Sequence, residues 1–415
     1  MSTMSLGRGA LREVIWQDLC PWLILLKTCR LAISFRMLVL AAFALIATTA
    51  GYRVVGSLFS GTDDDQVQSW IELRSVWPWK LGIDVPLEPV NDEVRTAAPR
   101  PNAIESVIGQ IPMVGHWLLR GPVSHVWLRL ADPFVQLFRP DLNPVRLAYV
   151  LLCCLWSTLV WALLGGALTR VAALWLVRGE TLGPLAALRY ATQRWPSFFF
   201  APLVPLGGAL LFGIPLVLLG ICMRVDALVP LAGFVWPLVL VAGLLLAILV
   251  VGLLVAWPLL WPGVSVEESD AFIAVSRGYA YAFQRPLHYL FYLLVASVLG
   301  IATMLVVDVF ATSLLDLSRL FVSWGSGAER FRQVGIPTSQ VEQSALLAAG
   351  VWLIGLWTNC VFTLQLAFQF GFFWSAATAI YLLLRRDVDA TEMDEISVED
   401  DESAPGLASL GETSP

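Results

Sequence analysis

Glu267-Glu-Ser-Asp-Ala-Phe-Ile-Ala-Val-Ser-Arg-Gly-Tyr-Ala-Tyr-Ala-Phe-Gln-Arg-Pro286 sits between two long apolar runs. Ser265-Val-Glu-Glu268 at its start has the form of a capping box, in which a hydroxyl and a carboxylate satisfy free amides of a first helical turn. Phe272, Val275, Tyr279 and Phe283 recur at three- and four-residue spacing, which predicts one apolar stripe on a helix. Asp270 and Arg277 fall on another face. Pro286 closes the element, because proline cannot continue the hydrogen-bond ladder. A short amphipathic helix carrying Tyr and Arg beside a long apolar run tends to lie in a membrane interface.

A second stretch has the same design. Glu180-Thr-Leu-Gly-Pro-Leu-Ala-Ala-Leu-Arg-Tyr-Ala-Thr-Gln-Arg-Trp-Pro196 places Pro184 for a first helical turn. Leu185, Leu188 and Trp195 make its apolar side; Arg189, Gln193 and Arg194 make its polar side. Two apolar runs follow each stretch. Aligning Tyr190 with Tyr279 and Ala191 with Ala280, with one extra residue, brings Pro196 onto Pro286. The pattern predicts one unit used twice, a surface helix followed by a transmembrane hairpin.

The composition agrees. The 415 residues are 58% hydrophobic and only 14% charged, with a mean hydropathy of +0.74. A soluble domain carries roughly 25% charge, so the chain falls in the membrane class. The formal net charge of −6 comes largely from the acidic tail beyond Asp387; the rest is nearly balanced, which argues against a nucleic-acid partner. The six cysteines show no metal-ligand spacing, and Cys153-Cys154 reads as packing within a span.

The expected fold class is all-α, a polytopic transmembrane helix bundle of six spans with interfacial amphipathic helices and an internal repeat. Residues 1–36 form a cytoplasmic and interfacial segment in which Val14–Leu26 reads as another surface helix. The first span is 37–59. Five basic residues before it and Asp63-Asp-Asp65 after it place both termini in the cytoplasm for an even span count. Residues 60–144 are expected outside, with amphipathic helices from Ile104 to Phe138 lying against the outer face. A five-span domain, 145–386, follows. Its spans are expected at Val145–Val177, Phe198–Met223, Leu228–Trp261, Leu287–Ser313 and Ala345–Leu384, with a second exported loop from Leu314 to Ser344. The last run is twice the roughly 20 residues a bilayer needs, so it is expected to tilt, to kink near Gly371 or to extend into the cytoplasm. Residues 387–415 form a disordered acidic tail.

Prolines in the third and fourth spans are tolerated where neighbours re-satisfy the freed carbonyls. Gln365 and Gln369 share a face and are expected to hydrogen-bond between helices. Arg170 is expected to snorkel from the end of the second span. His116 and His125 are nine residues apart, which matches no metal motif.

No H-E-x-x-H, G-x-S-x-G or phosphate-cradling loop occurs. Glu267-Glu268 is similar to the glutamate pair of intramembrane prenyl-protein proteases, but Phe272 stands where their arginine belongs. Asp308, His288 and Arg170 are expected at different depths. The expectation is therefore a non-enzymatic membrane protein with no catalytic, cofactor or metal site. Its partners are expected to be membrane lipids and other membrane proteins, and its role envelope organisation or assembly. The alternative is a permease or a lipid- or amphiphile-handling protein, because repeats with broken spans place a site at the repeat interface; here a lipid groove is expected between the third and fifth spans.

Glu267–Pro286 leading into Tyr289-Leu-Phe-Tyr-Leu-Leu resembles the pattern that precedes spans in the membrane domain of glycerophosphodiester phosphodiesterases. Gly165-Gly-Ala-Leu-Thr-Arg170 and Ser375-Ala-Ala-Thr-Ala-Ile-Tyr-Leu-Leu-Leu-Arg-Arg-Asp-Val-Asp389 resemble helix endings in a broad group of bacterial multi-pass inner-membrane proteins. The resemblance covers residues 145–390. It implies a helical membrane domain and carries over no enzymatic residue, since the phosphodiesterase catalytic domain has no counterpart.

Overall fold

A run of Leu, Val, Ala and Phe has no polar side chain to satisfy its backbone, so helix is the economical solution: every N–H and C=O then pairs within the segment. The computed structural model describes residues 20–80, 121–139, 142–327 and 345–389. Among these residues it has eleven α-helices and no strand. They are α1 Ile24–Ala32, α2 Phe35–Leu58, α3 Asp65–Arg74, α4 Pro122–Gln136, α5 Pro144–Arg178, α6 Pro184–Gln193, α7 Trp195–Cys222, α8 Val229–Glu267, α9 Ala271–Gln284, α10 Pro286–Ser326 and α11 Ala345–Asp389. Six of them, α2, α5, α7, α8, α10 and α11, are long and apolar enough to cross a membrane.

The unit read twice in the sequence occurs three times. A short helix turns directly into an outgoing long helix, and a second long helix returns: α1-α2-α5, α6-α7-α8 and α9-α10-α11. The three return helices, α5, α8 and α11, pack on one another and form the centre. Each short helix lies across the return helix of the preceding unit: α6 on α5, α9 on α8, and α1, closing the ring, on α11. Each also touches the outgoing helix of that preceding unit. Since all three short helices lie at one end, the units are parallel and related about an axis along the bundle. The first unit escapes the sequence comparison because α3, α4 and the residues around them are inserted between α2 and α5.

Aromatic side chains fill the axis. Trp161 of α5 stacks on Phe370 of α11 at 5.0 Å, and Trp374 of α11 packs against Trp257 and Trp261 of α8 at 5.8 and 4.7 Å. A Cβ on Gly165 would stand 2.8 Å from the Trp261 ring, so glycine is what lets α5 and α8 meet there. One turn towards the short-helix end, Thr169 and Ser265 share a hydroxyl hydrogen bond of 2.6 Å. Proline at 202 leaves the Phe198 carbonyl without its helical donor, and Trp261 Nε1 donates to it at 2.8 Å. Pro258 does the same to Leu254, whose carbonyl accepts from Trp127 Nε1 at 3.2 Å. Two of the prolines in these helices, Pro202 and Pro258, are thus matched by indole donors on other helices.

Several expectations are corrected. Ser265 lies inside α8 rather than in a capping box; α8 runs to Glu267, and Glu268 ends it in the left-handed region at φ 51°. The buried face of α9 is Ala274, Gly278, Tyr281 and Ala282, while the proposed stripe splits: Phe272 and Phe283 are exposed, and Val275 and Tyr279 are half-buried. Small residues win that face because they let α9 lie close on α8; Leu260 would sit 2.8 Å from a Cβ at 278. The buried small residues of α6 are Ala187 and Ala191, whereas Ala280, aligned with Ala191 in the sequence, is not among the buried residues of α9. α10 continues to Ser326, past Ser313, because its apolar run meets no break before Gly327. α11 is one continuous helix; from Leu366 to Leu384 it is buried almost all round, which makes it the central element. His116, the amphipathic residues before Gly121, residues 328–344 and the tail beyond Asp389 lie outside the described residues.

Candidate functional site

The helix that breaks the threefold pattern builds the site. α4 carries His125, Arg129, Asp132 and Gln136 at intervals of four, three and four, one polar stripe on a helix. It carries Trp127, Ala131 and Phe134 on the other side. Residues 104–138 were expected against the outer face. Instead α4 is inserted among α5, α10 and α11. Gly300 of α10 admits its start, since a Cβ there would stand 2.8 Å from Pro122 and 2.7 Å from Phe372. The polar stripe turns inward. His125 Nδ1 and Gln369 Oε1 are 2.7 Å apart, which makes Nδ1 the donor. Burial, with Arg129 one turn on, pushes the His125 pKa below its usual value. The other glutamine on that face, Gln365, donates to Asp308 at 2.5 Å.

The two sides of α4 face two cavities. The larger, about 470 Å³, is an apolar groove between α4, α5, α7 and α8, with Phe134, Phe138, Leu206, Leu253, Leu254 and Trp257 among its walls. The groove therefore lies among the second, third and fourth spans, not between the third and fifth. The smaller, about 250 Å³, is a polar chamber between α2, α3, α4, α5 and α11, reached by Thr48, Tyr52, Arg74, Arg129 and Asp132. Leu130 and Trp161 line both. Trp161 and Trp257 also carry buried indole N–H groups without an acceptor.

Local sequence explains how Arg74 arrives in the chamber. Asp64 caps α3, accepting from the amides of Gln66 and Val67. Val67 and Trp70 then bury against Tyr149 and Cys153 of α5, a satellite core in which the two cysteines are packing groups. Arg74 follows on the same helix. Its side chain is 7% exposed and pairs with Asp132 at 2.7 Å, while its Nη1 has no acceptor. Arg129 enters the chamber from α4 near the Tyr52 hydroxyl, with no ion pair among the described residues; burial lowers its pKa from the ordinary guanidinium value and Tyr52 opposes this. The chamber thus holds two guanidinium groups and one carboxylate.

A second charged group sits at the short-helix end, on the axis. Arg170 does not snorkel. It is 6% exposed, its Nη2 meets Glu268 at 2.7 Å, its Nη1 donates to the Ser265 carbonyl at 2.6 Å, and it lies 4.3 Å over the Tyr190 ring. Arg194 donates to the Glu268 carbonyl at 2.5 Å. Glu267 takes Arg277 at 2.5 Å, Arg385 at 3.6 Å and the Tyr381 hydroxyl at 2.7 Å. Cations gathered on the end of α8 complement its negative dipole end. Tyr281 donates to Asp389 and Tyr292 to Asp387, at 2.8 Å for the latter, which ties down the end of α11. Each of these carboxylates is matched by a cation or hydroxyl from another helix, and Glu267 and Glu268 by cations from other units, so this cluster serves as a lock. His288 and Asp308 lie apart from it and from each other. No group of His, Cys, Asp and Glu among the described residues is arranged to hold a metal ion.

Sequence reading missed the chamber because Arg74 and Arg129 lie 55 positions apart on separate helices. The spacing 125, 129, 132, 136 was the available signal. Comparison with protein-family models, with curated proteins and with solved structures finds no match.

Proposed function

We propose that the chain is a non-enzymatic protein of the bacterial inner membrane that binds and handles an amphiphile, with the alkyl chain in the groove between α4, α5, α7 and α8. The groove carries this reading. A cavity of ligand size with apolar walls and a few unpaired donors is the usual form of a small-molecule site, and this one is about 470 Å³ with the unpaired indoles of Trp161 and Trp257 in its wall. The orientation follows from charge. Arg30, Arg36, Arg178, Arg189, Arg194, Arg285, Arg385 and Arg386 all belong to the short-helix end, and Asp63, Asp64 and Asp65 to the other, which favours a cytoplasmic short-helix end and cytoplasmic termini.

The test is lipid retention. Ala131→Phe on α4, or Leu206→Phe on α7, fills the groove from opposite walls. Mass spectrometry of the purified protein is expected to find bound lipid in the wild type and a several-fold loss in both variants. Equal retention in all three overturns the reading. An envelope-organising role through other membrane proteins is the second reading. Exposed apolar side chains along the far halves of α10 and α11, such as Phe310, Trp324, Leu346, Trp352 and Trp357, favour it. Purification in lipid nanodiscs with a stoichiometric protein partner, and no groove lipid, would decide for that role.

A further inference from the structure

We infer that the polar chamber under α4 is an oxyanion site that takes the singly charged phosphodiester headgroup of a membrane lipid whose chain occupies the apolar groove. The inference rests on the amphiphile reading and deepens it.

The first observation is unspent hydrogen-bonding capacity. Arg74 is almost wholly buried; its Nη2 pairs with Asp132, its guanidinium lies 5.8 Å over the Tyr149 ring, and its Nη1 has no acceptor. Arg129 lines the same cavity with no ion pair among the described residues. A buried donor without a partner costs about 1–3 kcal/mol, and more when charged, so the free Nη1 of Arg74, beside a second guanidinium in the same cavity, points to an absent acceptor. The second observation is charge. Asp132 answers one guanidinium and leaves the other, so the chamber is complementary to one negative charge. Guanidinium groups are the preferred partners of phosphate because their parallel N–H bonds match its oxygens. The third is position. Leu130 and Trp161 form walls of both cavities, so the chamber and the groove adjoin one another. The chamber, at about 250 Å³, has room for a headgroup but not for an acyl chain beside it. Asp132 has a positioning role: it holds Arg74 and is itself held by Gln136 Nε2 at 3.0 Å.

The test measures thermal stabilisation of the full chain in detergent by four probes: phosphatidylglycerol, a diacylglycerol with the same chains, glycerol 3-phosphate and inorganic phosphate. Wild type is expected to bind phosphatidylglycerol about tenfold to a hundredfold more tightly than diacylglycerol, the factor a charge-assisted hydrogen bond supplies. Arg129→Gln is expected to lose that preference and keep diacylglycerol binding; Arg129→Lys is expected to recover part of it. Without ligand, Arg129→Gln is expected to melt no lower than wild type, because Arg129 gives up no ion pair among the described residues. A markedly lower melting point would show Arg129 to be structural and overturn the inference. Equal binding of the two lipids would overturn it too, while leaving the groove reading standing. Stabilisation by neither lipid would overturn the groove reading itself. Stabilisation by glycerol 3-phosphate or inorganic phosphate alone, abolished in Arg129→Gln, would assign the chamber to a soluble anion and overturn the lipid source.

Discussion

Glu268 is the only non-glycine residue with positive φ among those described, and it is also where two arginines from other helices converge. A left-handed residue other than glycine is kept only where its surroundings over-determine it. Here they do: its carbonyl accepts from Arg194 and its carboxylate from Arg170. Glu268→Ala leaves Arg170 buried and uncompensated, which is expected to cost about 3–5 kcal/mol and to show as a large drop in melting temperature in detergent. The double variant with Arg170→Met is expected to recover much of it. A single variant that melts like wild type would mean that the lock contributes nothing. Asp64 makes a second, pH-dependent contact. Its hydrogen bond with Arg146, opposed by partial burial and helped by Asn143 and the Val67 amide, holds its pKa down at about 2 against an ordinary 3.8. A carboxyl lowered on folding adds stability that is complete above its unfolded pKa and is lost as the pH falls through the folded value. The joint between α3 and α5 is therefore expected to loosen as the pH falls from about 4 towards 2, and Asp64→Asn is expected to flatten that part of the melting-temperature profile.

Among the elements, α9 shows how a surface helix is chosen by its small face. Ala274, Gly278 and Ala282 let it lie on α8, and Phe272 and Phe283 are left outward with Leu287. Single cysteines through 272–284 are expected to be blocked at 274, 278, 281 and 282, and to react with a membrane-soluble maleimide at 272, 273 and 283. Reaction at 278 equal to that at 272 would show that α9 does not lie on α8 as described. α4 is the contrary case. Its polar stripe would suit solvent, and its burial is tolerable because Gln369 meets His125, Arg74 meets Asp132, and Gln136 donates to Asp132 within the stripe. Arg129 is the member of the stripe that we propose meets a ligand.

At the scale of the molecule, the ring of units makes the chain interdependent. No unit packs chiefly on itself, because each short helix needs the return helix of its predecessor. Cutting at Gly179, between the first and second units, should leave two fragments that reconstitute when co-expressed. α6 is expected to find α5, and α1 to find α11. Residues 1–179 expressed alone are expected not to accumulate, since α1 and α2 lose α11. Stable, separately purified fragments that do not associate would contradict the cyclic arrangement.

The helices and their approximate limits were legible in the sequence, because apolar length and punctuation by proline and glycine are local signals and a helix satisfies its backbone locally. Two of the three units were legible for the same reason. The hydrogen bonds of Gln365 and Gln369, and the rescue of carbonyls freed by proline, followed from the cost of leaving polar groups unpaired in an apolar setting. The rest depended on which helices meet. Phe272 and Ala274 both sit on amphipathic α9, and only the close surface of α8 decides that the smaller side chain is buried. Arg170 and Glu268 are 98 positions apart, and Arg74 and Arg129 are 55. Whether a charge snorkels, locks a bundle or waits in a cavity is settled by the partner within a few ångströms, and tertiary structure alone supplies that partner.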